Sequence, residues 1–192
     1  MDARPLAIPD VLLLTPKKFD DGRGFFMETY SRRTMAGLGI DIEFVQDNQS
    51  LSQDVGVIRG LHYQLPPKAQ DKLVRVLKGR ILDVAVDIRA GSPYFGKYVA
   101  VELIADDGTW IFVPKGFAHG FMTLAPDTEI LYKVSDFYAP EHDRGIHWLD
   151  PDIAIDWPLS AIGDSANAIL SEKDRRLPAL REIGNAFEYA GR

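Results

Sequence analysis

The chain has 192 residues, of which 46% are hydrophobic and 26% charged, the composition of an ordinary globular domain. Its formal net charge of -6 argues against a nucleic-acid-binding protein, because that class usually carries a basic excess. The sequence contains no cysteine, which excludes disulfide bonds, cysteine metal ligands and a thiol nucleophile. It shows no signal-peptide pattern and no apolar run of about 20 residues, so we expect a cytoplasmic protein without a membrane partner.

Short apolar stretches separated by turn residues fill the middle of the chain and predict an all-β fold. Alternating apolar and polar side chains, or short apolar runs, predict strands at residues 80–89, 97–103, 110–113, 119–124 and 129–134. Asp107 and Gly108 predict a hairpin between the second and third of these strands. Pro126 and Asp127 are predicted to join the last two as a further pair.

Helices are predicted to be few. Ser31 is a candidate cap for a short helix that runs to about Leu38, and a second helix is predicted between Ser171 and Leu180. Residues 140–158 are expected to form loops. We therefore predict one domain over residues 1–192, an all-β jelly-roll sandwich or barrel with a few short, mainly C-terminal helices. Its parts are an N-terminal arm at about 1–50, a core barrel at about 51–138 and a C-terminal segment at about 139–192.

Two of the four histidines lie in segments that resemble the metal-binding motifs of the cupin jelly rolls. His62 lies in Arg59-Gly60-Leu61-His62-Tyr63-Gln64, and His119 ends the pattern Pro114-x-Gly116-x-x-His119. Gln64 replaces the second histidine of the first motif, and Lys72 stands where its glutamate belongs. A protonated lysine has no lone pair and repels a cation, and two histidines with an amide make a poor divalent site. The sequence predicts a cupin scaffold without a metal, in which His62 and His119 are free for proton chemistry.

An enzyme that moves protons on an anionic substrate also needs cations and an acid. Arg23 and Arg59 are candidates for the anion, because a guanidinium matches phosphate oxygens. Tyr132 is a candidate acid within a predicted strand, although alternation alone does not select it over Tyr63 or Tyr138.

The positions of Arg59 and His62 differ by three, an odd number, so their side chains point to opposite faces of a regular strand. Both can reach one cavity only if the strand bends or bulges. We expect this deformation at Gly60, a residue type that permits it.

Ordered motifs from about Ile8 to Pro178 resemble those of the dTDP-4-dehydrorhamnose 3,5-epimerases, cupin-fold enzymes of deoxysugar-nucleotide biosynthesis. These motifs are Arg23-Gly24-Phe25-Phe26-Met27-Glu28, Val45-Gln46-Asp47-Asn48, Arg59-Gly60-Leu61-His62, Lys72-Leu73-Val74-Arg75, Asp83-Val84-Ala85-Val86-Asp87-Ile88-Arg89, Ser92-Pro93-x-Phe95-Gly96, Pro114-x-Gly116-Phe117-Ala118-His119-Gly120-Phe121, Tyr132-Lys133 and Leu170-Ser171-Glu172-Lys173-Asp174.

The resemblance implies roles for the matching positions. His62 would be the general base, with Asp174 orienting its ring and steadying the imidazolium. Tyr132 would be the general acid on the opposite face of the sugar. Lys72 and His119 would contact the sugar and the developing oxyanion.

The resemblance also implies a set of substrate-binding residues and a dimer. The nucleotide and diphosphate would be bound by Arg23, Glu28, Gln46, Asn48 and Arg59. Lys173 and Asp143 fall at further substrate-contact positions, the second of which is Glu in some relatives. The family is dimeric, and residues 23–28 are expected to reach the cavity of the neighbouring subunit.

The implied chemistry needs no cofactor and no metal. The C3 and C5 protons of a 4-keto sugar flank one carbonyl, so loss of either gives an enolate with its charge on the same oxygen. One electrophile, Lys72, serves both steps. A base on one face and an acid on the other invert each centre in turn.

Three alternatives stay open on the sequence. A 3- or 5-epimerase of a related deoxysugar pathway would use the same His62, Lys72 and Tyr132. A non-catalytic sugar-nucleotide binding module would need the arginines but not a base and an acid. A metal-dependent cupin oxygenase or isomerase would carry bound metal.

Overall fold

The computed structural model describes residues 1–191 of the chain. In chain order, the strands and α-helices are β1 (Asp2–Pro5), β2 (Leu12–Thr15), β3 (Lys18–Asp21), β4 (Gly24–Met27), α1 (Arg32–Gly37), β5 (Gln46–Ser52), β6 (Ile58–Gln64), β7 (Lys72–Lys78), β8 (Arg80–Asp87), β9 (Tyr98–Ile104), β10 (Trp110–Val113), β11 (Phe117–Thr123), β12 (Thr128–Val134), β13 (Asp143–Gly145) and α2 (Glu172–Arg175). Short 3-10 turns lie at Ala105–Asp107, Leu159–Ala161, Ser165–Asn167 and Leu180–Glu182.

Two antiparallel sheets form a β-sandwich. One has six strands in the order β1-β2-β10-β7-β12-β5, and the other has five in the order β13-β6-β11-β8-β9. Strands β3 and β4 pair as a separate hairpin, with Arg23 in its turn. This jelly-roll sandwich with few short helices confirms the predicted fold class.

Apolar side chains form three layers, one between the sheets and one on each outer face. Between the sheets, Val74 and Ile111 of the six-stranded sheet belong to one cluster with Ala85 and Phe121 of the five-stranded sheet. The C-terminal segment covers the outer face of the five-stranded sheet, where Trp148 packs in the cluster that also contains residues of β6 and β8. Full burial of one such large apolar side chain stabilises the fold by roughly 1.5–3 kcal/mol.

The predicted strands are present, but two of the predicted pairings are wrong. The turn at Asp107 and Gly108 joins β9 of the five-stranded sheet to β10 of the six-stranded sheet, so these strands do not form a hairpin. The turn at Pro126 and Asp127 likewise joins β11 to β12, which lie in different sheets. In a jelly roll most consecutive strands cross between sheets, and the same turn residues reverse the chain in both situations.

The helix predictions are confirmed at their N-terminal caps. Ser31 Oγ accepts a hydrogen bond from Thr34 N at the start of α1, and Ser171 Oγ accepts one from Asp174 N at the start of α2. Helix α2 ends at Arg175, earlier than the sequence pattern indicates.

Residues 140–158, predicted as loop, contain the short strand β13, which pairs with β6. An edge strand of three residues is too short for periodicity to detect. Among residues 1–191, no helix combines the length and the apolar character that crossing a bilayer requires.

Candidate active site

A cavity of about 290 Å³ opens between the two sheets. The five-stranded sheet contributes Arg59, His62, His119 and Phe121, the six-stranded sheet Ser50, Lys72, Ile130 and Tyr132, and the C-terminal segment Ser171, Lys173 and Asp174. The four residues predicted to be catalytic, His62, Lys72, Tyr132 and Asp174, therefore line one cavity.

The predicted deformation of β6 at Gly60 is confirmed. Along the β6–β11 pair, His62 lies opposite His119 but Arg59 lies opposite Phe121, so β6 contains one extra residue between these positions. Gly60 has a φ of +120°, and a Cβ atom there would lie 2.6 Å from Gly120 Cα. The bulge turns Arg59 and His62 toward the same cavity.

His62 and Asp174 form a close pair although 112 residues separate them in sequence. His62 Nε2 lies 2.5 Å from Asp174 Oδ1. Burial alone would raise the pKa of the Asp174 carboxyl, but the hydrogen bond and charge of His62, with help from Ser171 and Lys173, hold it below its ordinary value. Asp174 is therefore ionised near neutral pH and can orient the imidazole ring, as the resemblance implies.

His119 has its own carboxylate partner, a residue that is not among those predicted for the site. Both carboxylate oxygens of Asp83 lie 2.9 Å from His119 Nε2, and Asp83 is completely buried. The sequence pattern does place Asp83 on the polar side of an alternating strand. That side faces the interior, because Asp83 pairs with Phe121 next to the cavity.

Lys72 reaches from the six-stranded sheet toward the strand that carries His62. Its Nζ donates a hydrogen bond of 3.1 Å to the backbone oxygen of His62. Burial lowers the pKa of the Lys72 ammonium to about 8, while Asp143 and Asp83 oppose this effect and Lys173 adds to it. Near neutral pH the ammonium stays protonated and can polarise a carbonyl oxygen.

Tyr132 lies on β12, in the sheet opposite to that of His62. Burial raises the pKa of its hydroxyl, with a contribution from Asp143 and an opposing one from Arg59. The hydroxyl is therefore protonated near neutral pH, as a proton donor must be.

Gln64, at the second ligand position of the cupin motif, is engaged with backbone groups. Its Nε2 donates to Lys68 O at 2.6 Å and to Phe137 O at 3.2 Å, and its Oε1 accepts from Ala139 N at 2.8 Å. Within residues 1–191, no group of three or more His, Cys, Asp or Glu side chains is arranged to hold a metal ion.

Apart from His119, the candidate substrate-binding residues lie in three places: on β5 and β6, on or directly after the β3–β4 hairpin, and in an ion pair between β13 and α2. Arg59 lines the cavity, and its guanidinium is supported by Ser52 Oγ at 3.4 Å and Leu51 O at 3.3 Å on β5. On the same strand, Gln46 Nε2 donates to Asn48 Oδ1 at 2.8 Å. Asn48 pairs with Tyr132, so it shares the face of the sheet that bears the candidate acid.

Arg23 and Glu28 are not among the residues that line this chain's own cavity. Arg23 lies at the tip of the β3–β4 hairpin, where its side chain is 91% exposed and pairs with Asp21. Glu28 follows β4 and accepts a hydrogen bond of 3.2 Å from Thr34 Oγ1 of α1.

Asp143 and Lys173 are ion-paired with each other. Asp143 also accepts a hydrogen bond of 3.1 Å from Tyr138 Oη. These residues, with His62 and Tyr132, line a smaller polar recess next to the main cavity. Tyr138 is one of the tyrosines that alternation leaves open beside Tyr132, but no pattern in the sequence indicates its hydrogen bond to Asp143.

Comparison with known proteins gives consistent similarities over nearly the whole chain. Residues 5–182 match the model of the dTDP-4-dehydrorhamnose 3,5-epimerase family. The chain is 51% identical over 183 residues to a dTDP-4-dehydrorhamnose 3,5-epimerase of Pseudomonas aeruginosa, covering 95% of this chain and 97% of that protein. It is 49% identical over 184 residues to one of Sinorhizobium fredii, covering 96% and 92%.

A solved structure shows the same similarity at the level of the fold. It is a dTDP-6-deoxy-D-glucose-3,5-epimerase of Legionella pneumophila in complex with dTDP-4-keto-L-rhamnose. Its TM-score is 0.91 at 44% identity, with 99% of each chain covered. Family match, identity and fold agree, and this chain belongs to the dTDP-4-dehydrorhamnose 3,5-epimerase family.

Proposed function

We propose that this chain epimerises a dTDP-4-keto-6-deoxy sugar at C3 and C5, the dTDP-4-dehydrorhamnose 3,5-epimerase reaction of dTDP-rhamnose biosynthesis. One observation carries the proposal. The His62–Asp174 pair and the Tyr132 hydroxyl come from opposite sides of one cavity, and Lys72 lies in the same wall as Tyr132. A base and an acid on opposite sides of a sugar ring are what inversion at carbon requires.

Proton removal is assigned to His62. Its Nε2 faces Asp174. In the tautomer that donates the Nε2 proton to Asp174, the other ring nitrogen, Nδ1, is the base for the sugar C–H proton. The carboxylate stabilises the imidazolium once the proton is taken, because it is ionised near neutral pH. Tyr132 returns a proton to the opposite face and thereby inverts the centre.

Stabilisation of the enolate that forms between these steps is assigned to Lys72 and His119. Both line the cavity, and the Lys72 ammonium presents positive charge where the oxyanion develops. Because the C3 and C5 protons share one carbonyl, the same ammonium stabilises both enolates. His119, whose Nε2 lies against both carboxylate oxygens of Asp83, is assigned as a second contact to the oxyanion.

Nucleotide and diphosphate binding is assigned to Arg59, Gln46 and Asn48. Arg59 opens onto the cavity, and its guanidinium is held by β5, the strand that carries the other two residues. Binding energy from this remote part of the substrate holds the reacting carbons in place. Asp143 and Lys173, which the resemblance places at substrate-contact positions, line the polar recess beside His62 and Tyr132.

The β3–β4 hairpin supports a homodimer in which Arg23 and Glu28 act in the partner's cavity. The hairpin carries three exposed aromatic rings, Phe19, Phe25 and Phe26, with 51%, 55% and 70% exposure. Exposed apolar clusters of this kind mark protein–protein contacts. We also propose a cytoplasmic location, which the cysteine-free sequence favours.

One assay separates this function from its alternatives. Purified protein is incubated with dTDP-4-keto-6-deoxyglucose in deuterated water, and NMR follows the sugar. We expect inversion with deuterium at both C3 and C5, and activity that survives a chelator. Deuterium at one carbon identifies a single-site epimerase, no exchange identifies a binding module, and loss of activity with chelator supports a metal-dependent enzyme.

The shared site is tested by mixing two inactive variants, Arg23→Ala and His62→Ala. If Arg23 acts across a dimer, subunit exchange produces activity that neither variant has alone. Continued inactivity of a verified heterodimer would contradict the assignment of Arg23 to the partner's cavity.

A further inference from the structure

Helix α2 carries two neighbouring ion pairs that reach different strands. Asp174 contacts His62 on β6, and the preceding residue, Lys173, pairs with Asp143 on β13. Strand β13 is itself paired with β6, where Asp143 lies opposite Gln64. The contacts close a ring that runs from β6 through the two α2 residues to β13 and back to β6.

This ring holds a helix that has little rigidity of its own. Helix α2 has four residues, whereas isolated helices shorter than about 12 residues are marginal in water. Its Ser171 cap orders the helix internally but does not attach it to the sandwich. Glu172 pairs with Arg176 on the exposed side of the same helix. Backbone hydrogen bonds of Ile169 with Gly56 and Ile58 fix the chain just before α2, and the two ion pairs then set where Asp174 lies on this short helix.

The Asp143 carboxylate is well placed to act as the anchor. Its side chain is 11% exposed, so solvent screens it less than a surface carboxylate. It is engaged from two sides, by the Lys173 ammonium and by the Tyr138 hydroxyl. Lys173 and Asp143 are thus paired with each other within the protein.

We propose that the Lys173–Asp143 ion pair is a positioning pair, which sets the distance and direction of Asp174 relative to His62, instead of a pair of direct substrate contacts. This inference rests on the proposed function, because it deepens the role of the His62–Asp174 dyad. A base that is oriented by a carboxylate loses rate steeply when the carboxylate moves, and a shift of about 1 Å can cost 10²-fold. The pair therefore acts on turnover through Asp174.

The kinetic test is a double-mutant cycle of Asp143→Asn, Lys173→Met and the combined variant. We expect each single variant to lower kcat on the order of tenfold with KM nearly unchanged, and the combined variant to be no slower than either single one. Asp143→Glu keeps the carboxylate and should retain most of kcat. Effects that multiply, or a raised KM with unchanged kcat, would overturn the proposal and make the two residues independent substrate contacts.

A measurement without substrate keeps the inference separate from the proposed function. The ring signals of His62 are followed by NMR in ¹⁵N-labelled protein and assigned with His62→Ala. We expect Asp143→Asn and Lys173→Met to shift these signals. Glu102→Gln, which removes the exposed Arg80–Glu102 pair far along the sheet, should leave them in place. Unmoved His62 signals in both test variants would overturn the positioning role even if the wild-type chain shows no epimerase activity.

Discussion

The Lys72 ammonium donates a hydrogen bond of 3.1 Å to the backbone oxygen of His62, across the interior between the two sheets. The candidate electrophile and the strand of the candidate base are thus in direct contact. Burial of Lys72 in this interior also lowers the pKa of its ammonium to about 8. Catalytic use of this ammonium therefore has consequences for both pH dependence and stability.

Turnover should fall as the pH rises through about 8, because Lys72 then loses the proton that stabilises the enolate. A pH profile of kcat for wild-type protein measures this, with Lys72→Arg as the control that stays charged. We expect the alkaline decrease to move to higher pH in that variant if it retains turnover. If the Lys72→Arg variant is active and its kcat falls at the same alkaline pH as that of wild type, the decrease belongs to a group other than Lys72.

Lys72→Met should lower kcat by roughly 10²–10³-fold, the usual effect of removing one oxyanion donor, while raising the melting temperature. The folded-state pKa of about 8 lies below the ordinary value of 10.5. Below pH 8 the folded and the unfolded state both carry the protonated lysine, so burial of the charge lowers the free energy of unfolding by its full amount. Between the two pKa values the unfolded state binds more protons, so wild-type stability should increase with pH.

Calorimetry of Lys72→Met and wild type at pH 7 and pH 9 measures this relation. We expect the stability advantage of the variant to shrink at the higher pH. Lys78→Met, at an exposed lysine near the end of the same strand, serves as the control and should leave both kcat and melting temperature nearly unchanged.

Asp174→Asn and His62→Ala should each abolish epimerisation with the fold intact, because the proposed base depends on the carboxylate in contact with it. The measurement is turnover by NMR together with circular dichroism. Glu172→Gln changes an exposed carboxylate of the same helix and should keep wild-type kcat. Substantial turnover in either dyad variant would contradict the assignment of the base.

Tyr132→Phe should separate proton removal from inversion. His62 can still abstract a proton in this variant, but the opposite face lacks its donor. We therefore expect slow deuterium incorporation with retained configuration, and inversion lowered by roughly 10²-fold or more. Tyr98→Phe, which alters a hydroxyl that accepts from Asp156 N at a distance from the cavity, is the control. Normal inversion in Tyr132→Phe would require another acid.

Gly60→Ala should destabilise the fold and weaken substrate binding. A Cβ atom would lie 2.6 Å from Gly120 Cα and 2.7 Å from His119 O, at a φ of +120°. We expect a loss of about 2 kcal/mol or more, and a raised KM because Arg59 is redirected. Gly91→Ala is the matched control, since Gly91 also has a positive φ but a Cβ atom added there would meet no atom within 4 Å. Equal effects in both variants would attribute the change to backbone strain alone.

The sequence predicts the site better than it predicts the strand pairing. The two cupin-like segments predict that His62 and His119 share one cavity, and the odd separation of Arg59 and His62 requires the bulge that Gly60 provides. These predictions succeed because strand periodicity and glycine geometry are local properties.

The parts that local patterns could not supply depend on long-range contacts. The turn at Asp107 and Gly108 reverses the chain equally well within a sheet or between sheets, so the hairpin prediction is wrong. The partner of His62 lies 112 residues away, and only the family resemblance indicates Asp174. Alternation places Asp83 on one side of a strand, but periodicity separates the two sides without showing which one is interior.

The alternation of consecutive strands between the sheets also bears on how this chain acquires its activity. Most strands pair with partners that are distant in sequence. Such topologies fold in milliseconds to seconds, because the entropy of closing long loops is lost before the stabilising contacts form. His62 meets Asp174 only after the C-terminal segment has returned over the five-stranded sheet. A nascent chain whose residue 174 is still inside the ribosome therefore contains the candidate acid and the candidate base, but the His62–Asp174 pair cannot yet form.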